Sequence, residues 1–131
     1  MLELRTKDFS VAVFKLLDAL PKRVSTQVVA FQLGKSASSI GANYREATRA
    51  ESRADFSHKL QIALKESAES CYWLEILCDL YPMHKSFRKL SDDCVEIRNL
   101  FQTIVKSARC KMTAKPQNSQ LSTHKLQIPN P

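Results

Sequence analysis

The chain has 131 residues, 44% of them apolar and 25% charged, which is one domain's worth of ordinary globular composition. It holds only two glycines, Gly34 and Gly41, too few for the turns of a barrel or sandwich or for a glycine-rich phosphate loop. The net charge of +7 is uneven: residues 1–105 carry +2 and residues 106–131, with five basic residues and no acid, carry +5.

The first predicted helix covers 7–20. Phe9, Ala12, Val13, Leu16, Leu17 and Leu20 recur at helical spacing. Pro21 ends it, because proline disfavours helical backbone in the residue before it.

The second covers 24–51. Val29, Leu33, Ala37, Ile40, Tyr44 and Ala47 form one stripe. Lys35, Ser38, Ala42, Arg45 and Arg49 fall nearly opposite, so this helix reads as apolar inside, basic and small-residue outside. The run Ser36–Asn43 is unusual for a helix interior, since Ser, Gly and Asn are mediocre helix formers. The larger expectation is close packing by a neighbouring helix, the lesser a patch facing a ligand or subunit.

The third covers 53–80, with a main stripe of Phe56, Leu60, Ala63, Ser67, Cys71, Leu74 and Cys78. A second seam, Ile62, Glu66, Glu69, Trp73 and Ile76, lies well around the helix and suits a second partner, another chain included. The fourth, over 85–112, buries Phe87, Leu90, Cys94, Ile97, Phe101, Ile104, Val105 and Ala108. Short connections between such helices predict an all-α, up-down-up-down antiparallel four-helix bundle over 1–112, with the second and third helices as a protruding hairpin. Residues 113–131 are polar and basic and read as a flexible tail.

The chemistry-bearing residues form no familiar constellation. His58, His84 and His124 lack a recognised nucleophile motif and read as surface or capping residues. No Glu-x-x-His pair of the di-metal bundles occurs, so neither metal nor cofactor is expected. Cys71, Cys78 and Cys94 fall on core stripes and read as small hydrophobes, and Cys110 as the exposed thiol. Spacing alone gives them no redox role. With no signal peptide, no membrane span and no disulfide framework, the chain reads as cytoplasmic and reducing, without a membrane partner.

Arg45, Arg49 and Arg53 are spaced i, i+4, i+8, with Lys35 near them in angle. Such a stripe can grip phosphates. On one isolated chain it reads more simply as a solvated face, partly neutralised by Glu46 and Asp55. Oligomerisation around these helices would repeat the stripe and strengthen its field.

The segment S-x-S-S-I-G-A-N-Y-R-E-A-x-R-A-x-S from Ser36 to Ser52, followed by D-F-x-H-K-L-Q-I-A-L-K-E-S-A-E-S-x-Y-W-L-E-I-L from Asp55 to Leu77, closely resembles the bacterial four helix bundle proteins encoded by intervening sequences in 23S ribosomal RNA genes. The likeness rests on polar positions as well as apolar period. It implies a four-helix bundle and a homo-oligomer, specifically a pentamer. A relative, the accessory variability determinant of diversity-generating retroelements, is a basic pentameric barrel that binds nucleic acid and a reverse transcriptase. No catalytic residue carries over. The motif residues carried over, Ser39, Asn43, Glu46, Glu66, Glu69 and Trp73, are structural or interfacial. The expectation is a non-enzymatic oligomer that binds RNA or DNA through Lys35, Arg45, Arg49 and Arg53, with Ile62, Glu66, Glu69, Trp73 and Ile76 at the subunit interface. The alternative is a scaffold that docks a reverse transcriptase or a ribosomal component.

Overall fold

The computed structural model describes residues 1–113, with side chains through Lys111. These residues form four α-helices and no strand: α1 (Leu2–Asp18), α2 (Val24–Thr48), α3 (Arg53–Leu80) and α4 (Lys85–Thr113). Each helix packs on the next in sequence, and α1 also meets α4. The expected tail lies outside the described residues, apart from Thr113 at the end of α4.

The helix ends have local causes. In the α1–α2 connection the Thr26 hydroxyl accepts from the Arg23 amide at 2.9 Å and donates to the Pro21 carbonyl, fixing the entry into α2. Ser52 caps α3 by accepting from the Asp55 amide at 3.0 Å, and Asp55 adds a favourable acid to the first turn. Pro82 follows the end of α3 within two residues.

The predicted start of α1 is five residues late. Its first turns lack an apolar stripe and are held by tertiary contacts instead. Thr6 is fully buried, Arg5 pairs with Glu96 of α4, and Glu3 pairs with Arg45 of α2. Periodicity cannot report such polar anchors.

Contacts between helices run in opposite senses along each pair. On α1 and α2, Thr6 meets Gly41 and Phe14 meets Gly34. On α2 and α3, Ser36 bonds Ser70 at 2.9 Å and Glu46 pairs with Lys59 at 2.7 Å. On α3 and α4, Cys71 meets Cys94 and Gln61 accepts from Arg109 at 3.2 Å. The core between them holds Val13, Leu33, Ile40, Leu60, Leu74, Leu77, Ile97 and Phe101, all essentially fully buried. Tyr44 closes on Phe101 edge-on, with ring centroids 5.7 Å apart.

The α2–α3 hairpin does not protrude on the α4 side. The Arg53 guanidinium at its tip donates to the Lys111 carbonyl at 2.8 Å, because α4 is as long as α3 and covers it to the end.

The small residues of α2 serve packing. Ser10 of α1 donates to the Ala37 carbonyl at 3.1 Å, a reach that needs the helices close. Ser36, Ser38 and Ser39 direct their hydroxyls to carbonyls three or four residues back, which keeps their polar groups satisfied inside the helix.

Candidate functional site

The four cations singled out from the sequence do not share one surface. Lys35 and Arg45 are exposed on α2, and Arg49 is exposed just past its C-terminal end. At a rise of about 1.5 Å per residue, Lys35 and Arg45 stand ~15 Å apart along the helix and Arg45 and Arg49 ~6 Å apart. Arg45 leans toward α1, where its Nε lies 3.2 Å from Glu3 Oε2. Arg49 directs one guanidinium nitrogen to the Arg45 carbonyl at 3.4 Å. Arg53 is turned away from them and caps the C-terminal end of α4, a favourable place for a cation. Its Nε is buried without a partner among the described residues. Arg53 therefore has a structural task that sequence spacing could not reveal.

The second seam of α3 lies on the opposite flank of α2. Ile62, Glu66, Glu69, Trp73 and Ile76 are all half-buried. The register set by Ser36–Ser70 and Glu46–Lys59 places Asn43 level with Ile62 and Ser39 level with Glu66. Ser39 and Asn43 of α2 and Glu66 of α3 thus stand at neighbouring levels along the helix pair. Trp73 donates to Glu69 at 3.3 Å and meets Tyr72 edge-on at 5.1 Å. Trp73 and Ile76 also pack against the bundle's own core, so the seam is partly used within one chain. Asn43 donates to the Ser39 carbonyl at 2.8 Å.

Glu66 holds its proton more tightly than an ordinary carboxyl. Burial is the main cause and the neighbouring Glu69 adds to it, while Lys65 and Lys35 oppose the shift. Lys59 holds its proton more tightly because Glu46 bonds it and attracts its charge.

A third feature is absent from the sequence reading. The outer α1–α2 side exposes large apolar groups: Val11 and Phe14 on α1, Val24, Val28 and Phe31 on α2. Phe31 is 68% exposed. A groove of about 430 Å³ runs along this side, floored by Ser38, Gly41 and Ala42, walled by Val11 and Phe14, and flanked by Lys7 and Arg45. Its sequence signal was the i, i+4, i+7 spacing of Val24, Val28 and Phe31, which the basic residues of the same helix masked.

Comparison with known proteins joins these features to a family. The family model of the 23S rRNA-intervening sequence protein matches residues 4–103. The chain belongs to that family. A solved structure from Bacteroides thetaiotaomicron, described as a protein of unknown function from the S23 ribosomal protein family, is 35% identical, with a TM-score of 0.70 over 81% of this chain and 99% of that one. No curated protein matches the chain.

The match to the 23S rRNA-intervening sequence protein takes in most of α1, all of α2 and α3 and most of α4, and with them both α2 flanks. It leaves out Lys106, Arg109 and Lys111 at the end of α4. Among the described residues of this family member, no group of three or more His, Cys, Asp or Glu is placed to hold a metal ion. No helix among them is long and apolar enough to cross a membrane. His58 is exposed, and His84 stacks on Phe87 at 4.2 Å in the α3–α4 turn. His124 lies outside the described residues.

Proposed function

We propose that this chain is a non-enzymatic, cytoplasmic, up-down-up-down antiparallel bundle that assembles with copies of itself and binds RNA or DNA through the outer face of α2. The observation that carries the reading is the exposure of Lys35 and Arg45 on the outer side of α2 with Arg49 at its C-cap. Phosphates are bound by such arrays without reading sequence. Arg53 drops from the contact set, because its charge already serves α4. Assembly multiplies the array: five copies, the number the family resemblance implies, would carry fifteen such cations around one particle. Each neutralised phosphate releases counterion, so affinity falls steeply with salt. The double substitution Arg45→Glu and Arg49→Glu tests this. Binding to structured RNA should weaken at least tenfold with helicity unchanged; undiminished affinity rejects the face.

A second reading is a pure interaction scaffold. The exposed Val11, Phe14, Val28 and Phe31 support it, since contiguous apolar groups on a surface mark contact with another protein. Under this reading the assembled particle docks a reverse transcriptase or a ribosomal component and touches no nucleic acid.

A further inference from the structure

Neither reading uses the thiols. Cys71 of α3 and Cys94 of α4 lie with their sulfurs 3.2 Å apart in the buried contact between the two helices. The Cys94 sulfur also lies 3.4 Å from the Ser67 carbonyl oxygen, so the two helices are close here. We propose that Cys71 and Cys94 form a site of reversible oxidation, at which a hydroperoxide converts two thiols into a disulfide that ties α3 to α4.

A disulfide has its sulfurs about 2.05 Å apart, so the pair must close by about 1.2 Å, within reach of side-chain rotation and a small helix shift. The two cysteines divide the work. Cys71 is 8% exposed and Cys94 is fully buried, so a peroxide reaches Cys71 first. Cys71 also ionises more readily than an ordinary thiol, chiefly through its bond with Cys94 and with help from the charge of Arg98. Cys94 is pushed the other way, by the same bond and by burial, and stays a thiol.

The chemistry balances. The Cys71 thiolate attacks the terminal oxygen of the hydroperoxide, and the O–O bond breaks. Cys71 becomes a sulfenic acid and the departing alkoxide takes up a proton as alcohol. Cys94 then attacks the Cys71 sulfur, and its proton passes to the departing hydroxyl. The S–O bond breaks and water leaves. Two thiols are oxidised by two electrons, and one hydroperoxide is reduced to an alcohol and a water.

The test uses the full chain, reduced and then exposed to hydrogen peroxide. The intact mass should fall by two hydrogens. A non-reducing tryptic map should link the peptide of residues 66–85 to that of residues 90–98. The melting temperature should rise by about 10 °C and return on adding dithiothreitol. Because Cys78 shares a tryptic peptide with Cys71, Cys71→Ala should abolish the link; Cys94→Ala should do so too. A link through Cys78 or Cys110 would overturn the proposal. So would a Cys71 that accumulates as sulfenic or sulfonic acid without bridging, or a pair still reduced when Cys110 is fully oxidised. If a variant fails to fold, chymotryptic cleavage after Tyr72 and Trp73 separates Cys71 from Cys78 in the oxidised wild-type chain and still decides which cysteine is linked.

Discussion

Replacing the two glycines of α2 by alanine should change stability in opposite directions. Both lie inside a helix, where glycine is about 1 kcal/mol less favourable than alanine, so propensity alone makes both substitutions stabilising. The surroundings differ. A Cβ on Gly34 would meet Phe14 Cε1 at 3.2 Å and Leu17 Cδ1 at 3.5 Å. Both are ends of flexible side chains, and Phe14 is 45% exposed and can swing outward. Gly34→Ala should therefore keep most of the gain, about 0.5–1 kcal/mol. A Cβ on Gly41 would meet Thr6 Oγ1 at 3.0 Å, Thr6 Cβ at 3.3 Å and the Thr6 carbonyl carbon at 3.6 Å. Thr6 is fully buried, its hydroxyl donates to the Glu3 carbonyl at 3.0 Å, and its backbone belongs to α1. Relief requires moving the helix. Overpacking of this kind costs typically 1–3 kcal/mol, which outweighs the propensity gain, so Gly41→Ala should lose about 1 kcal/mol net. Urea unfolding followed by circular dichroism, with slopes compared between variants, reads both values. Equal stabilisation by the two alanines would refute the claim that Gly41 exists for the approach of α1.

Glu66→Gln should raise stability at neutral pH. The folded state holds the Glu66 proton more tightly than the unfolded chain, whose carboxyl titrates near the ordinary 4.5. Over that window the folded state binds more protons, so stability is greatest below it and falls as pH rises through the folded pKa. The advantage of Gln over Glu should be present at pH 7 and vanish near pH 4 in melting experiments; an advantage independent of pH contradicts the burial of the charge. If the α1–α2 apolar side is the subunit contact, Val28→Ser with Phe31→Ser should reduce the oligomer to monomers while the helical signal stays. If the α3 seam is the contact, Trp73→Ala should do this instead. Light scattering separates the two outcomes. Removing the Arg53 cap by Arg53→Ala should cost about 1 kcal/mol in unfolding experiments and leave nucleic-acid affinity nearly unchanged; a large loss of affinity with full stability would return Arg53 to the binding face.

Much of the bundle was legible from apolar period and proline punctuation. α3 spans the predicted 53–80, and the core stripes of α2, α3 and α4 are buried almost residue for residue. The start of α1 was not legible, because Thr6, Glu3 and Arg5 hold it through contacts with α2 and α4. The site was legible only in part. Lys35, Arg45 and Arg49 lie on the exposed side that the helical angle assigns them. The diversion of Arg53 to Lys111 depends on how far α4 runs beside α3, which no local pattern encodes. The same holds for Cys71 and Cys94: each lies on its own helix's core stripe, and their meeting is a property of the register between two helices. The exposed apolar side of α2 was hidden for a different reason. One outer face carries large apolar groups at the start of α2 and cations further along, and a two-sided description merges them.

The most direct test of the central claim is a titration of the purified full chain with structured RNA and with duplex DNA at low and high salt, with the particle mass recorded in the same buffers. The account predicts an oligomer that binds at low salt, with log affinity falling linearly against log salt at a slope of several units. An intact oligomer that binds neither nucleic acid at low salt would contradict it.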